Sequence, residues 1–411
     1  MPAIAFEYPD DIKAIREGLE TFLRAEIVTR HEKHAELLEN HRRLYAEDGR
    51  FSPEARSLIT DVRVAAAKAG YYTMCAPTNI GGQGLGYLAW FAAWEKIFHF
   101  CGYKHWLGHY TISHWAMGPS PVLAKMTDEA QATILPDLMS GRTSMGFGLS
   151  EPGAGSDATM IKTKAVADGN GWRLSGGKIW TSNSPNAEYV IVFAVTDPER
   201  AAKGKGGISA FMVPTNAKGF SIDRVIRMWG SAGGDEAALH FDDIRIEGHQ
   251  LVGELHKGFA IAMLGVNLGR IYNSARAVGM ARWALEMGID YIKIRHAFGR
   301  PIAEYQGVSF PIAEAAMNIH AAHLMGLNVA QLLDRGLEAR KEVSMTKAFA
   351  VQACLRAVDT IIQAHGAIGM TNELNLTEAF VTLRKINIAD GTNEILRRAI
   401  VKLLLDGDVD L

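Results

Sequence analysis

Residues 189–214, YVIVFAVTDPERAAKGKGGISAFMVP, hold two short runs rich in β-branched and aromatic residues, Tyr189–Val195 and Ile208–Val213, separated by a polar stretch that ends in KGKGG. Such runs suit a pleated strand, and the glycines between them suit turns. Leu239–Ile246 and the turn signal SGGK at 175–178 continue the pattern, which extends from about Thr143 to Gly253. The strands are close in sequence and no long helical crossover separates them, so antiparallel pairing is expected rather than a doubly wound sheet.

On either side the period changes. From about Phe6 to Met139 strand signals are scarce; Ser52-Pro53-Glu54 reads as N-cap, first helical position and first-turn acid, and Thr127-Asp128-Glu129 opens another helix in the same way. APTNIGGQGLGY, with Pro77 and four glycines, reads as a loop joining helices. Beyond Phe259, Ile312, Ala315, Ile319, Ala322, Met325, Val329 and Leu332 recur at three- and four-residue steps. Met345, Ala348, Gln352, Leu355, Val358 and Ile362 repeat that spacing, which predicts an antiparallel bundle. The fold expected is multi-domain α+β: a helical domain over 1–142, a β domain over 143–253 and a helical bundle over 254–411.

The 411 residues carry 43 basic and 45 acidic side chains, a formal net charge of −2 that offers no overall attraction to nucleic acid or an anionic membrane. Cys75, Cys101 and Cys354 lie far apart, so neither a disulfide framework nor a zinc site is suggested. The N-terminus lacks an apolar leader and no later stretch suits a membrane span, so a cytoplasmic protein is expected. GxGxxG after a strand, GxxxxGK[ST], HExxH and GxSxG are absent. His320 and His323 have helical metal-ligand spacing but no carboxylate placed to complete a site, so no metal is expected.

Asp390, in NIADGTNEIL at 387–396, reads by itself as an acid favoured near a helix N-terminus. GFGLSEPGAGSD at 146–157 reads as a strand followed by a turn, and QAHGAIGM at 363–370 as a helix C-cap. Taken together, LSEPGAGSD, GGKIWTSN at 176–183, RHAFGRPIAEYQ at 295–306, QAHGAIGM and DGTNEILR at 390–397 resemble, in order and spacing, the acyl-CoA dehydrogenase flavoprotein family. The resemblance covers almost the whole chain. It implies an N-terminal helical domain, a middle antiparallel β-barrel and a C-terminal four-helix bundle, with FAD between barrel and bundle.

By the same resemblance, Phe147, Leu149 and Ser150 border the flavin ring, Trp180 and Ser182 lie against it, and Ser156 meets cofactor and substrate. Arg295, Phe298 and Gln306 match positions that grip the pyrophosphate and adenosine end, where a guanidinium suits bidentate phosphate contact. Gln363, His365, Gly366 and Ala367 match a stretch that reaches the FAD of a neighbouring subunit, which implies a homodimer or homotetramer. Thr392 and Glu394 complete the cofactor site. Asn267, Arg270 and Gly391 match substrate positions, with Arg270 also near the base. Asp390 takes the place of the catalytic base. The implied reaction is removal of an α-proton from an acyl-CoA thioester as the β-hydride passes to FAD, giving a 2-enoyl-CoA, with electrons handed to an electron-transferring flavoprotein.

Most members have Glu where this chain has Asp390, one methylene longer, or about 1.5 Å of reach. Gly269 stands where a minority of members carry the base, which leaves Asp390 as the sole matching carboxylate. A flavin oxidase or monooxygenase of the nitroalkane oxidase kind also fits an Asp here. A DNA-binding relative is disfavoured by the near-neutral charge.

Overall fold

The computed structural model describes residues 6–410; residues 1–5, on which part of the leader argument rests, and residue 411 lie outside it. Its principal helices and strands, in chain order, are α1 (Asp10–Phe22), α2 (Pro53–Lys68), α3 (Tyr87–Cys101), α4 (Asp128–Met139), β1 (Met145–Gly148), β2 (Lys164–Asp168), β3 (Gly171–Ser182), β4 (Tyr189–Val195), β5 (Ile208–Pro214), β6 (Phe220–Ile226), β7 (Glu236–Ile246), β8 (Leu251–Val252), α5 (Gly258–Ile294), α6 (Gln306–Asp334), α7 (Arg340–His365), α8 (Leu376–Ile386) and α9 (Asn393–Leu405). Two compact units emerge, one from 1–30, 86–109 and 269–411 and the other from 31–85 and 110–268.

The second unit is built on the sheet, whose strand path runs β6-β7-β3-β2-β4-β5-β8 with β1 beside β4. β4 is apolar along its length because both of its faces are covered. Val190, Val192 and Ala194 pack with Phe211, Leu239, Phe241 and Ile244, while Ile191 and Phe193 pack with Ile134, Leu135 and Leu138 of α4. The pairing is mainly antiparallel, as expected, but β1 pairs with β4 in parallel over four residues and Lys164 of β2 meets Val195 in parallel. The physical reason is the β2–β3 hairpin: two reversals return the chain to its original direction when it reaches β4. Among the described residues the path does not close, β6 and β8 being its ends, so the sheet is open and no closed barrel is seen. The caps read from sequence are present: Ser52 Oγ accepts from the Ala55 N–H at 3.3 Å and Thr127 Oγ1 from the Ala130 N–H at 3.2 Å.

In the first unit α6 packs on α7, α7 on α8 and α9, and α1 and α6 on α3. Ile312, Ala315, Ile319, Ala322 and Val329 of α6 are buried, as their spacing predicts, and Met325 and Leu332 half-buried. On α7 the buried stripe is rotated from the expected one. Val343, Lys347, Ala350, Val351, Cys354, Val358 and Ile361 are its centre, and Met345, Gln352 and Leu355 lie at its margin. Asp334, at the end of α6, caps α3: Oδ1 accepts from the Tyr87 N–H at 2.6 Å and Oδ2 from the Leu88 N–H at 3.0 Å. A Cβ at Gly86 would meet that carboxylate at 2.2 Å, so only glycine admits the cap. Among the described residues from 258 onward, three long α-helices and two shorter ones make up the C-terminal helical part.

Candidate active site

Asp390 is not the first-turn acid of a helix. Thr392 is the N-cap of α9, its Oγ1 accepting from the Ile395 N–H at 3.3 Å, and Glu394 is the first-turn acid. Asp390 sits two residues earlier with φ at +54°, a left-handed conformation that costs a side-chain-bearing residue roughly 1–2 kcal/mol. Two cations hold that turn by its carbonyls. Arg270 Nε donates to Asp390 O at 3.1 Å, and Lys347 Nζ, fully buried, donates to Gly391 O at 2.9 Å and to Asn393 Oδ1 at 3.4 Å. Gly391 continues the turn at φ +94°, where a Cβ would stand 3.3 Å from an Arg270 terminal nitrogen.

The carboxylate itself receives one side-chain hydrogen bond among the described residues, from Asn273 Nδ2 to Oδ2 at 2.7 Å. Burial raises the Asp390 pKa from 3.8 to about 6, against the opposing pull of Lys347, Arg270 and the Asn273 hydrogen bond. Burial likewise lowers Lys347 to about 8, with Asp390 acting in the other direction. The Asp390 N–H finds no acceptor among the described residues. Beneath, Tyr272 is buried edge-on against Trp94 with ring centroids 4.8 Å apart, and Asn267 is exposed. This arrangement presents a carboxylate poised near neutrality beside an unengaged backbone donor, which suits proton abstraction next to a carbonyl.

The other sequence-predicted residues of this unit lie on open surface, apart from two. Arg295, Gln306, Gln363, Gly366, Ala367 and Glu394 are exposed, and Phe298 is 97% exposed at φ +51°. Thr392 is half-buried. His365 instead is buried, its ring stacked on Tyr291 at 4.4 Å and its Nδ1 hydrogen-bonded with Ile361 O at 2.8 Å.

In the sheet unit, Phe147, Leu149, Ser150 and Ser182 are half-buried and Ser156 is exposed. Trp180, 55% exposed, stands at φ +61° where β3 slips register against β7 between Lys178 and Thr181. The stretch after β1 closes on itself through reciprocal Glu151–Ala154 backbone hydrogen bonds, leaving Gly153 and Gly155 with nothing near a hypothetical Cβ. Beneath it the buried Lys178 Nζ donates to Leu149 O at 3.0 Å and Glu151 Oε1 at 2.8 Å.

Taken unit by unit, the residue types are ones that suit a flavin dinucleotide. Trp180 in the sheet unit and Phe298 in the helical unit have positive φ and exposed rings, Thr181 Oγ1 is buried with no partner among the described residues, and Arg295 is an exposed guanidinium of a kind suited to phosphate. A depression of about 580 Å³ beside the edge strand β6, lined by Asp48, Arg50, Arg224 and Arg227, contains none of them. Among the described residues no group of three or more His, Cys, Asp or Glu could hold a metal, and His323 pairs with Glu95 at 2.9 Å. Sequence reasoning missed Asn273 and Lys347. Asn273 follows Arg270 by one helical turn and Lys347 falls between apolar neighbours on α7, but neither cue singles out a role in the sequence.

Three family models match the chain: the acyl-CoA dehydrogenase N-terminal domain over residues 9–142, the middle domain over 146–244 and the C-terminal domain over 256–405. An acyl-CoA dehydrogenase of Bacillus subtilis (strain 168) is 35% identical over 340 residues, 83% of this chain and 88% of that protein. A subunit of the caffeyl-CoA reductase–Etf complex of Acetobacterium woodii is 31% identical over 339 residues, 82% of this chain and 88% of its own. Butyryl-CoA dehydrogenase from Megasphaera elsdenii superposes with a TM-score of 0.82 at 25% identity, covering 98% of this chain and 100% of the other.

Proposed function

The chain belongs to the acyl-CoA dehydrogenase family, and on that premise we propose that it desaturates an acyl-CoA thioester to a 2-enoyl-CoA with Asp390 as the base. Members of the family are oxidoreductases that bind FAD. Bound FAD supplies the acceptor for the hydride that leaves the β-carbon. Asp390 takes the α-proton, and the electron pair of that C–H bond becomes the new double bond. The unengaged Asp390 N–H polarises the thioester carbonyl, which acidifies the α-carbon, and Gly391 leaves the approach open. Trp180, Ser182, Phe147, Leu149, Ser150 and Ser156 form the flavin and substrate contacts of the sheet unit, and Arg295, Phe298, Gln306, Thr392 and Glu394 those of the helical unit. Gln363, Gly366 and Ala367 are exposed, as residues serving a neighbouring copy of a homodimer or homotetramer must be.

The observation that carries this reading is the state of Asp390, a carboxylate with one hydrogen bond and a pKa of about 6. A base of that pKa is ionised at neutral pH yet strong enough to share a proton with a polarised α-carbon. Electrons pass on to an electron-transferring flavoprotein; the name of the Acetobacterium woodii relative supports such a partner. The buried, unbridged Cys101 and Cys354 suit a reducing cytoplasm, and no described helix is long and apolar enough to cross a membrane.

Mixing the holoenzyme anaerobically with a panel of acyl-CoAs tests the proposal. At least one thioester should bleach the flavin, with little oxygen consumed when air is admitted during turnover. Bleaching by a nitroalkane and by no thioester would overturn it.

A further inference from the structure

We propose that Asn273 is the positioning residue of this site, its amide fixing Oδ2 of Asp390 so that Oδ1 is the oxygen that receives the proton. The inference rests on the reading of Asp390 as the base and goes beyond it, since it assigns the two carboxylate oxygens different tasks. Asn273 is 3% exposed on α5 and lies one turn beyond Arg270, on the same helix face. Its Nδ2 is 2.7 Å from Oδ2, and Oδ1 accepts no hydrogen bond from the described residues.

The division of labour among the donors carries the argument. Arg270 and Lys347 are the nearby cations, yet the N–H groups that hold this turn reach main-chain carbonyls, Asp390 O and Gly391 O, rather than the carboxylate. A guanidinium or ammonium bonded directly to the carboxylate would stabilise its charge and weaken it as a base. A neutral amide instead orients it at a smaller cost in basicity than a bonded cation would. Orientation needs such a partner, because the terminal torsion of Asp is broad and one unanchored carboxylate sweeps its lone pairs over a wide arc. The arc matters more for Asp than for Glu, whose extra methylene can compensate for a misaligned oxygen.

The test compares Asn273→Leu, which keeps the volume and removes the donor, with Asn273→Asp, which keeps the shape and adds a second carboxyl. Titration of protein carrying ¹³Cγ-labelled aspartate, with Asp390 assigned from the spectrum of Asp390→Asn, reports the carboxyl without substrate. Stopped-flow bleaching across pH reports the reaction. In Asn273→Leu the Asp390 midpoint should rise by about one unit or more, from loss of a hydrogen bond to a charged group. The bleaching rate should fall roughly 10- to 100-fold with KM changed less than about threefold, as expected when only alignment is lost. In Asn273→Asp the two carboxyls should titrate as a coupled pair, one step above the wild-type midpoint and one below. An unmoved Asp390 midpoint with bleaching within about threefold of wild type would overturn the inference. If Asp390→Asn itself bleaches at the wild-type rate, the base assignment fails instead, so the two failures are distinct.

Discussion

Two buried charges in this chain have opposite surroundings. In the sheet unit, Glu151 receives Lys178 Nζ at 2.8 Å and the N–H groups of Lys162 and Thr163 at 2.6 and 2.9 Å. Burial pushes its pKa up, but Lys178 and these donors outweigh it and hold the carboxyl below its usual range. In the helical unit, Asp390 receives a single side-chain hydrogen bond among the described residues while its cations bond carbonyls, so burial outweighs their pull and its pKa climbs to about 6. Three donors hold the Glu151 carboxylate, and one holds that of Asp390 among the described residues. The comparison shows that burial raises both carboxyls and that the donors reaching the oxygens decide whether the rise survives.

The largest effect expected is on the under-bonded side. Asp390→Asn should slow anaerobic bleaching by about 10²–10⁴-fold, the usual contribution of a positioned base, measured by stopped flow with the best thioester. A smaller loss would make Asp390 no more than a wall of the site. On the side of Glu151, Lys178→Met should cost about 3–5 kcal/mol in urea unfolding, since it leaves the carboxylate charged and without its cation. Adding Glu151→Gln should recover part of that; if the double variant is as unstable as the sum of the singles, the pair is not coupled.

The contrast also predicts opposite signs. Because the folded pKa of Asp390 lies above its unfolded value of 3.8, its stability contribution is complete below about pH 4 and is lost as pH rises through about 6. Asp390→Asn should therefore stabilise the flavin-free protein at pH 7, by at most about 3 kcal/mol, and leave it unchanged at pH 4. A Tm that falls at pH 7 would contradict the picture of a strained, under-bonded acid. In turnover the same pKa should appear as an acid limb near pH 6 in kcat/KM, with activity rising above it. The smallest effect concerns the helix behind the base: Thr392→Ala should cost about 1 kcal/mol through loss of the α9 cap and leave the Lys178 side untouched.

Some of this was open to reading in the chain and some was not. The strand Tyr189–Val195 and the caps at Ser52 and Thr127 depend on local composition, and each appears where its residues predict it. The parallel placement of β1 was hidden because it depends on the count of reversals between two strands, not on either strand. Lys178 and Lys347 look like ordinary surface cations in the sequence. Each is buried, because a carboxylate or carbonyls distant in sequence fold over it, and the cost of burial is met only by those partners. Asn273 was equally silent, being one polar residue on a long helix whose single partner is 117 positions away.

By itself the sequence determined the main element types and the family, and singled out Asp390 as the acid proposed for the base, since periodicity, turn residues and motif spacing are properties of neighbours along the chain. Only the tertiary structure decided how that acid behaves. Its pKa, its left-handed turn and its one amide partner arise from dehydration and from contacts among α5, α7 and the turn before α9, which no local pattern encodes.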